Sequence, residues 1–169
     1  MVTYQDTLID ATYFSCSGGR TEDAKAVWGG SVPYLQSVES PGEEYAAYYA
    51  DTVTIPLDDF QHLLGQELSE DPSTWVKNIQ YTSGNGVASI TIGNVTYSGT
   101  TFRQKLGLRS TCLQITTTKN SVVIKTNGYG HRVGMSQYGA DAMALSGKTY
   151  IEILQHYYTG VEIVTYHGD

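Results

Sequence analysis

The 169-residue sequence is short of charge. Asp, Glu, Lys and Arg together make up 16%, against about 25% in an ordinary soluble domain. Ten residues are Lys or Arg and seventeen are Asp or Glu, a net charge of −7. A broad nucleic-acid footprint needs clustered basic side chains, so nucleic acid is not an expected partner. Long hydrophobic runs are also missing, and no window approaches the roughly 18 apolar residues of a membrane span. Two cysteines, Cys16 and Cys112, are too few for a disulfide framework. They show no zinc-ligand spacing, and two thiols are expected rather than a bridge. Met1-Val2-Thr3-Tyr4-Gln5-Asp6 has no basic start and no apolar stretch, so no signal peptide is read there. The chain is then either cytosolic or cut from something longer.

What the sequence does have is tyrosine, at 14 residues, and glycine, at 18. A Tyr-, Thr-, Ser- and Gly-rich chain with little charge reads as β-rich and extracytoplasmic. It suits a sugar or polymer ligand, which aromatic faces and neutral hydrogen-bonding groups recognise well.

The hydrophobic pattern supports an α+β fold: a β-rich mixed or antiparallel sheet with short helices, two of them near the C-terminus. One domain is expected over residues 1–169. Val2-Thr3-Tyr4 and Leu8 to Phe14 read as a hairpin around Gln5-Asp6-Thr7. Residues 41–55 read as irregular. Pro56 is expected in the first turn of a helix with Phe60, Leu63 and Leu64 inward and Gly65 as its stop. Trp75 to Tyr81, Val87 to Ile92 and Asn94 to Tyr97 read as a meander. Thr101 to Leu106 reads as a helical turn, and Leu113 to Thr117 with Ser121 to Thr126 as a hairpin. Ser136 to Ser146 is expected to be a helix with Ala140, Met143 and Ala144 on its inner face. Thr149 and Glu152 form a capping box for a second helix with Ile153, Leu154, Tyr157 and Tyr158 inward. Val161 to Tyr166 reads as a last strand.

The densest packet of chemistry is Gly128-Tyr129-Gly130-His131-Arg132-Val133-Gly134-Met135-Ser136-Gln137-Tyr138-Gly139-Ala140. A strand runs into a glycine-rich loop and then a helix start, where backbone N–H groups can approach a ligand. It is not a dinucleotide fingerprint, a P-loop or a nucleophile elbow, because the spacing or the key residue fails in each. His131, Ser136, Gln137 and Tyr138 are the candidate binding residues here. The alternative is a tight turn in which Ser136 caps the helix and the glycines are scaffold. A second packet, Ser15 to Asp23, supplies Ser17 and Arg20, and Trp28 follows it. Its alternative is an exposed turn. Arg109 is a weaker candidate, balanced between a ligand contact and a structural ion pair. His62, His156 and His167 carry no ligand spacing, so no metal site and no cofactor are expected.

Glycan chemistry needs a partly buried carboxyl group. Glu152 is explained by its cap, and Glu43-Glu44 reads as a solvated loop. Glu22 alone lies next to a candidate site, and it is the candidate catalytic acid. No paired-carboxylate signature of a hydrolase is visible.

Four blocks together resemble one family. Gly128 to Ala140 and Tyr150-Ile151-Glu152-Ile153-Leu154-Gln155-His156-Tyr157-Tyr158-Thr159-Gly160 are similar to the C-terminal signature of the stage II sporulation protein D (SpoIID/LytB) family. Phe102-Arg103-Gln104-Lys105-Leu106-Gly107-Leu108-Arg109-Ser110-Thr111 and Tyr13-Phe14-Ser15-Cys16-Ser17-Gly18-Gly19-Arg20-Thr21-Glu22 resemble its earlier blocks. The resemblance implies a lytic transglycosylase that cleaves peptidoglycan glycan after N-acetylmuramic acid and leaves an anhydro-muramoyl end. One Glu then acts as general acid and afterwards as base. It also implies peptidoglycan strands, a cell-wall amidase or other sporulation proteins as partners, and a cell-wall location. The family places its catalytic Glu in a helical segment before the Tyr13 block. That segment has no match here, so the chain is expected to lack it. Zinc in some members uses Cys and His near that segment, and Cys16 alone does not reproduce such a site. The rival expectations are a non-catalytic glycan-binding module or amidase enhancer, and an enzyme that uses Glu22.

Overall fold

The structure is a computed structural model that describes residues 1–165. It is α+β, with short strands in several mostly antiparallel sheets and five short helices among the described residues. In chain order the first elements are β1 (Val2–Tyr4), β2 (Thr7–Leu8), β3 (Tyr13–Phe14), β4 (Gly19–Arg20), α1 (Ala24–Trp28) and β5 (Glu39–Ser40). The middle of the chain forms β6 (Ala50–Pro56), α2 (Leu57–Leu64), β7 (Val76–Tyr81), β8 (Val87–Ile92), β9 (Val95–Ser98), α3 (Gly99–Lys105), β10 (Leu113–Thr117) and β11 (Ser121–Asn127). The last part holds β12 (Met135–Ser136), α4 (Gln137–Leu145), α5 (Tyr150–Tyr157) and β13 (Glu162–Ile163).

These elements bury two separate cores. The first is built by residues 53–124. It packs Ile55, Phe60, Trp75, Ile90, Ile92, Phe102, Val122 and Ile124 between the β7-β8-β9 meander, the β10-β11-β6 sheet, α2 and α3. Phe60 stacks nearly parallel to Trp75, with ring centres 6.0 Å apart. The second core joins the two ends of the chain. Ala24, Leu35, Val133, Ile153, Tyr157, Tyr158 and Val161 form it. β1 pairs antiparallel with β13, and β3 pairs in parallel with β12.

Several local expectations meet tertiary corrections. Residues 50–56 are not irregular: β6 pairs with β11 along its full length, from Ala50–Asn127 to Pro56–Ser121. Its β-branched run Thr52-Val53-Thr54-Ile55 alternates exposed Thr with Val53 and Ile55 turned to the first core, the period of a half-buried strand. Pro56 ends that strand and precedes α2 rather than sitting in its first turn. Leu63 is exposed, because α2 turns Phe60 and Leu64, with Leu57, inward. Leu8 to Phe14 breaks in two, since β2 pairs with β1 while β3 pairs with β12. α1, capped by Asp23, forms where no helix is expected. Ala144 is exposed, whereas Ala140 and Met143 meet the second core. The final strand is Glu162–Ile163; Tyr166 and His167 lie outside the described residues. The meander, the β10–β11 hairpin and the Thr149/Glu152 capping box form as the sequence implies. Cys16 and Cys112 are free thiols.

A buried ion pair joins the two cores. The side chains of Arg132 and Glu22 are each 1% exposed, with Nη1 and Oε1 3.4 Å apart. Arg132 Nη2 also donates to Arg20 O and to Gly84 O, each at 2.7 Å, and Nε donates to Ser17 O at 2.7 Å. Thr82 Oγ1 donates to Glu22 Oε1 at 2.8 Å. Gly84 and Thr82 sit at the β7–β8 turn, so one guanidinium and one carboxylate tie the meander to the second core. Gly84 and Gly86 leave the space that the Glu22 carboxylate fills.

Removing one partner strands the other charge in the interior. Arg132→Met is expected to lower the unfolding free energy by about 3–5 kcal/mol. Urea unfolding followed by circular dichroism checks it; a loss under about 1 kcal/mol, the value of an exposed pair, contradicts the joint.

Candidate functional site

The loop Cys16 to Arg20 lies between two buried charges. Arg132 takes its carbonyls on one side. On the other, Glu43 takes its donors: Glu43 Oε2 accepts from Ser17 N and Ser17 Oγ at 2.8 Å, Gly18 N at 2.9 Å and Cys16 Sγ at 3.4 Å. Ser40 Oγ donates to Oε1 at 2.7 Å and sits 2.6 Å from Tyr157 Oη. Glu43 is 0% exposed, so it does not lie in a solvated loop. Burial alone raises its pKa, but hydrogen bonds from Ser136, Ser40, Ser17 and Cys16 outweigh burial and hold it below the ordinary value. Gly139, in the first turn of α4, has no Cβ where Ser40, Tyr157 and Glu43 meet.

The loop also packs backbone to backbone against the second glycine segment. A Cβ on Gly18 (φ 74°) would lie 2.7 Å from Gly128 N, and one on Gly128 (φ 82°) 2.6 Å from Ser17 O. Both positions need glycine for conformation and for space. The contact sets Tyr129, Gly130 and His131 beside Phe14 and Ser15.

Around that contact lies a pocket of about 230 Å³ lined by Tyr13, Phe14, Ser15, Tyr129, Gly130 and His131. Two aromatic pairs extend from its lining, and a third is joined to it through the backbone. Trp28 stands 5.3 Å from the His131 ring, Tyr48 stands 5.3 Å from Tyr129, and Tyr45 stands 5.7 Å from Tyr138. Tyr138 N donates to Ser15 O at 3.1 Å, which ties the backbone of the third pair to the lining residue Ser15. Tyr13, Trp28, Tyr45, Tyr48 and Tyr129 are all exposed. His131 Nδ1 accepts from Val133 N at 3.1 Å, which leaves the ring proton on Nε2. Burial, then the charge of Arg103, lowers its pKa, so the ring is neutral at neutral pH. Among the described residues no carboxylate lines this pocket.

The structure separates the residues that the sequence groups together. His131 lines the aromatic pocket, Trp28 packs against its ring, and Tyr138 pairs with Tyr45 nearby. Ser17 and Ser136 are buried scaffold: Ser17 holds Glu43, and Ser136 caps α4 through Gly139 N at 3.2 Å. Gln137 is exposed at the start of α4. Arg20 faces a different groove, where it bonds Ser37 and lies 3.4 Å from Glu39. Glu22 lies in the interior joint, bound by Arg132 and Thr82, and is not open to a polymer strand. Tyr13, Phe14, Tyr45, Tyr48 and Tyr129 are missing from the sequence-based set, although the tyrosine count hints at them. Cys16 is held inert, its pKa raised by burial to about 12. No cluster of three His, Cys, Asp or Glu able to hold a metal occurs among the described residues.

Glu43 makes stability depend on pH in one direction. Its folded pKa lies below the ordinary 4.5, so its contribution is complete above 4.5 and is lost as pH falls through the folded value. Glu43→Gln is expected to cost about 1.5–3 kcal/mol at neutral pH, the worth of charged hydrogen bonds. It should also flatten the decline of stability below pH 4.5. Unfolding curves collected down through that pH check both; an acid limb unchanged by the substitution contradicts the assignment.

No family model matches the chain. Individual relatives do. It is 40% identical to the stage II sporulation protein D of Bacillus amyloliquefaciens, over 96% of this chain and 47% of that protein. It is 41% identical to the stage II sporulation protein D of Bacillus subtilis, again over 96% and 47%. It is 26% identical to a Bacillus subtilis protein named amidase enhancer, over 98% of this chain and 31% of that protein. The chain spans about half the length of the two sporulation proteins it matches. Identity at this level over 96% of the chain supports its assignment to the stage II sporulation protein D family.

Proposed function

We propose that these residues form the glycan-holding surface of a SpoIID-like peptidoglycan lytic transglycosylase that acts in sporulation or cell-wall remodelling. The observation that carries the reading is the set of largely exposed aromatic pairs that extends from one small pocket. Aromatic faces pack against the C–H faces of sugar rings, and tyrosine hydroxyls satisfy sugar hydroxyls at the same time. The set is presented on a backbone that Glu43 and Arg132 lock from below, so little order is lost when a strand binds. His131 adds a neutral N–H donor at the pocket floor.

The chemistry of such an enzyme needs one carboxyl group to protonate the glycosidic oxygen and then to take a proton from the sugar's own hydroxyl. Neither Glu22 nor Glu43 serves, because Glu22 is committed to Arg132 and Glu43 to a cage of donors. In this reading the acid reaches the glycan from polypeptide outside the pocket lining. Trp28, His131 and Tyr138 position the strand, Ser17 and Ser136 support the surface from beneath, and Gln137 extends it along α4. Arg20 stands apart in its own groove. The protein works at the cell wall, and no helix among the described residues is long and apolar enough to cross a membrane.

A second reading is a glycan-binding module that assists a cell-wall amidase without cleaving anything. The likeness to a protein named amidase enhancer favours it.

Incubation with peptide-free peptidoglycan strands separates the readings. New anhydro-muramoyl ends, detected by mass spectrometry, support transglycosylation with the acid supplied by this chain from outside the pocket lining; binding without new ends supports the module. Trp28→Ala and Tyr129→Ala are each expected to weaken strand binding about tenfold, from one lost aromatic face. Calorimetry checks this, and affinities equal to the wild type overturn the aromatic surface.

A further inference from the structure

The first core carries two three-stranded sheets, β10-β11-β6 and β7-β8-β9, and so four sheet edges. An open edge invites pairing with another chain, and proteins blunt it with proline, charge, a bulge or a covering helix. Three of the four are blunted in this way. β6 ends in Pro56, and α2 packs against it. β7 holds Lys77 and shifts register between Lys77 and Tyr81. β9 runs straight into α3, which packs back on it. β10 has none of these devices. Leu113-Gln114-Ile115-Thr116-Thr117 is free of charge, proline and bulge, and among the described residues β11 alone runs along it.

The hydrogen-bond phase identifies its unused backbone groups. Asn127 N donates to Cys112 O at 2.9 Å, and Thr118 N donates to Ser121 O at 2.8 Å, at the two ends of the β10–β11 hairpin. Bonded and unbonded pairs alternate along an antiparallel ladder. Gln114 and Thr116 therefore bond β11, and the backbone groups of Leu113, Ile115 and Thr117 point to the open edge. None of these meets another backbone partner among the described residues.

The exposed face of the same strands floors a pocket of about 330 Å³. Gln114 stands opposite Lys125, and Asn127 follows on the same face of β11. Tyr81 and Asn85 of the β7–β8 hairpin complete the lining. Lys125 has no acidic partner among the described residues, and the lining holds no carboxylate. Neighbouring strands lie about 4.8 Å apart, so a strand added to β10 would run about 10 Å from Lys125. A lysine and a glutamate side chain together close that gap.

We propose that β10 is a docking edge for an extended segment of a partner polypeptide, which adds as a further strand and sets a glutamate against Lys125. Bonds to the backbone of Leu113, Ile115 and Thr117 supply affinity, and the pocket supplies selection. A second copy of this chain is the poorer occupant, because the same edge of that copy brings no carboxylate. The inference stands apart from the glycan reading, since this pocket shares no lining residue with the aromatic one.

Titration of the full chain with two short blocked peptides, followed by heteronuclear NMR, tests it. One peptide alternates valine with glutamate, and the other alternates valine with glutamine. The glutamate peptide is expected to bind about tenfold more tightly and to shift the amide resonances of Leu113, Ile115 and Thr117. Lys125→Gln is expected to remove that preference. Thr117→Pro deletes an edge donor but no bond to β11, and it is expected to weaken both peptides about tenfold. Lys125 is a surface residue, so its variant reports even where Thr117→Pro fails to fold. No binding up to about millimolar peptide, or shifts confined to other strands, overturns the docking edge. A Lys125→Gln variant that keeps the full preference overturns the acidic partner. Self-association of the wild type in sedimentation, abolished by Thr117→Pro, gives the edge to a second copy and overturns the partner segment.

Discussion

The loop from Cys16 to Arg20 is gripped by opposite charges on its two sides. Glu43 accepts its N–H groups and its hydroxyl, and Arg132 donates to its carbonyls. Both charges are out of contact with water, so each depends on the loop as much as the loop depends on them. A backbone held in this way cannot shift without leaving a carboxylate or a guanidinium unsatisfied. The second glycine segment packs directly on that backbone, and the pocket is built where the two meet. The position of the aromatic surface thus traces to two buried charges that no ligand touches.

The same arrangement divides polar from apolar work in an uncommon way. Conserving the surface for aromatic rings pushes the ionised groups inward, and the interior accepts them because each is multiply bonded. Ser17, Ser40 and Ser136 spend their hydroxyls on that interior. Glu22 illustrates the cost. Its Oε1 is bound by Arg132 and Thr82, but Oε2 has no hydrogen-bond partner among the described residues. The joint between the two cores is therefore held by one good oxygen and weakened by one bare one.

Much of the secondary structure is legible in the sequence, because it rests on local chemistry. The meander has β-branched runs between turn residues, and the Thr149/Glu152 box needs only its own four residues. The charged clamps are not legible. Glu43 stands in the segment Pro41-Gly42-Glu43-Glu44-Tyr45, which has every local mark of solvent exposure; its burial comes from Ser17, Ser40 and the start of α4. Arg132 is overshadowed by the neighbouring His131, although its φ of 64° marks it as unusual. Trp28, His131 and Tyr138 can be picked out as a surface group from their motifs. Tyr48 and Tyr129 cannot be paired from the sequence, since 81 positions separate them and only the loop packing brings their rings together.

The pairing of the first and last described strands has a mechanical consequence. β1 and β13 run antiparallel, with Met1 N donating to Val164 O beside the Val2–Ile163 pair. Tension applied at the two ends loads these bonds one after another, in the geometry of a zipper. The seven-residue β6–β11 ladder lies between them in the chain and carries no load until that zipper has opened. Under force the second core would yield first, and the core built by residues 53–124 would come apart later, as a separate step.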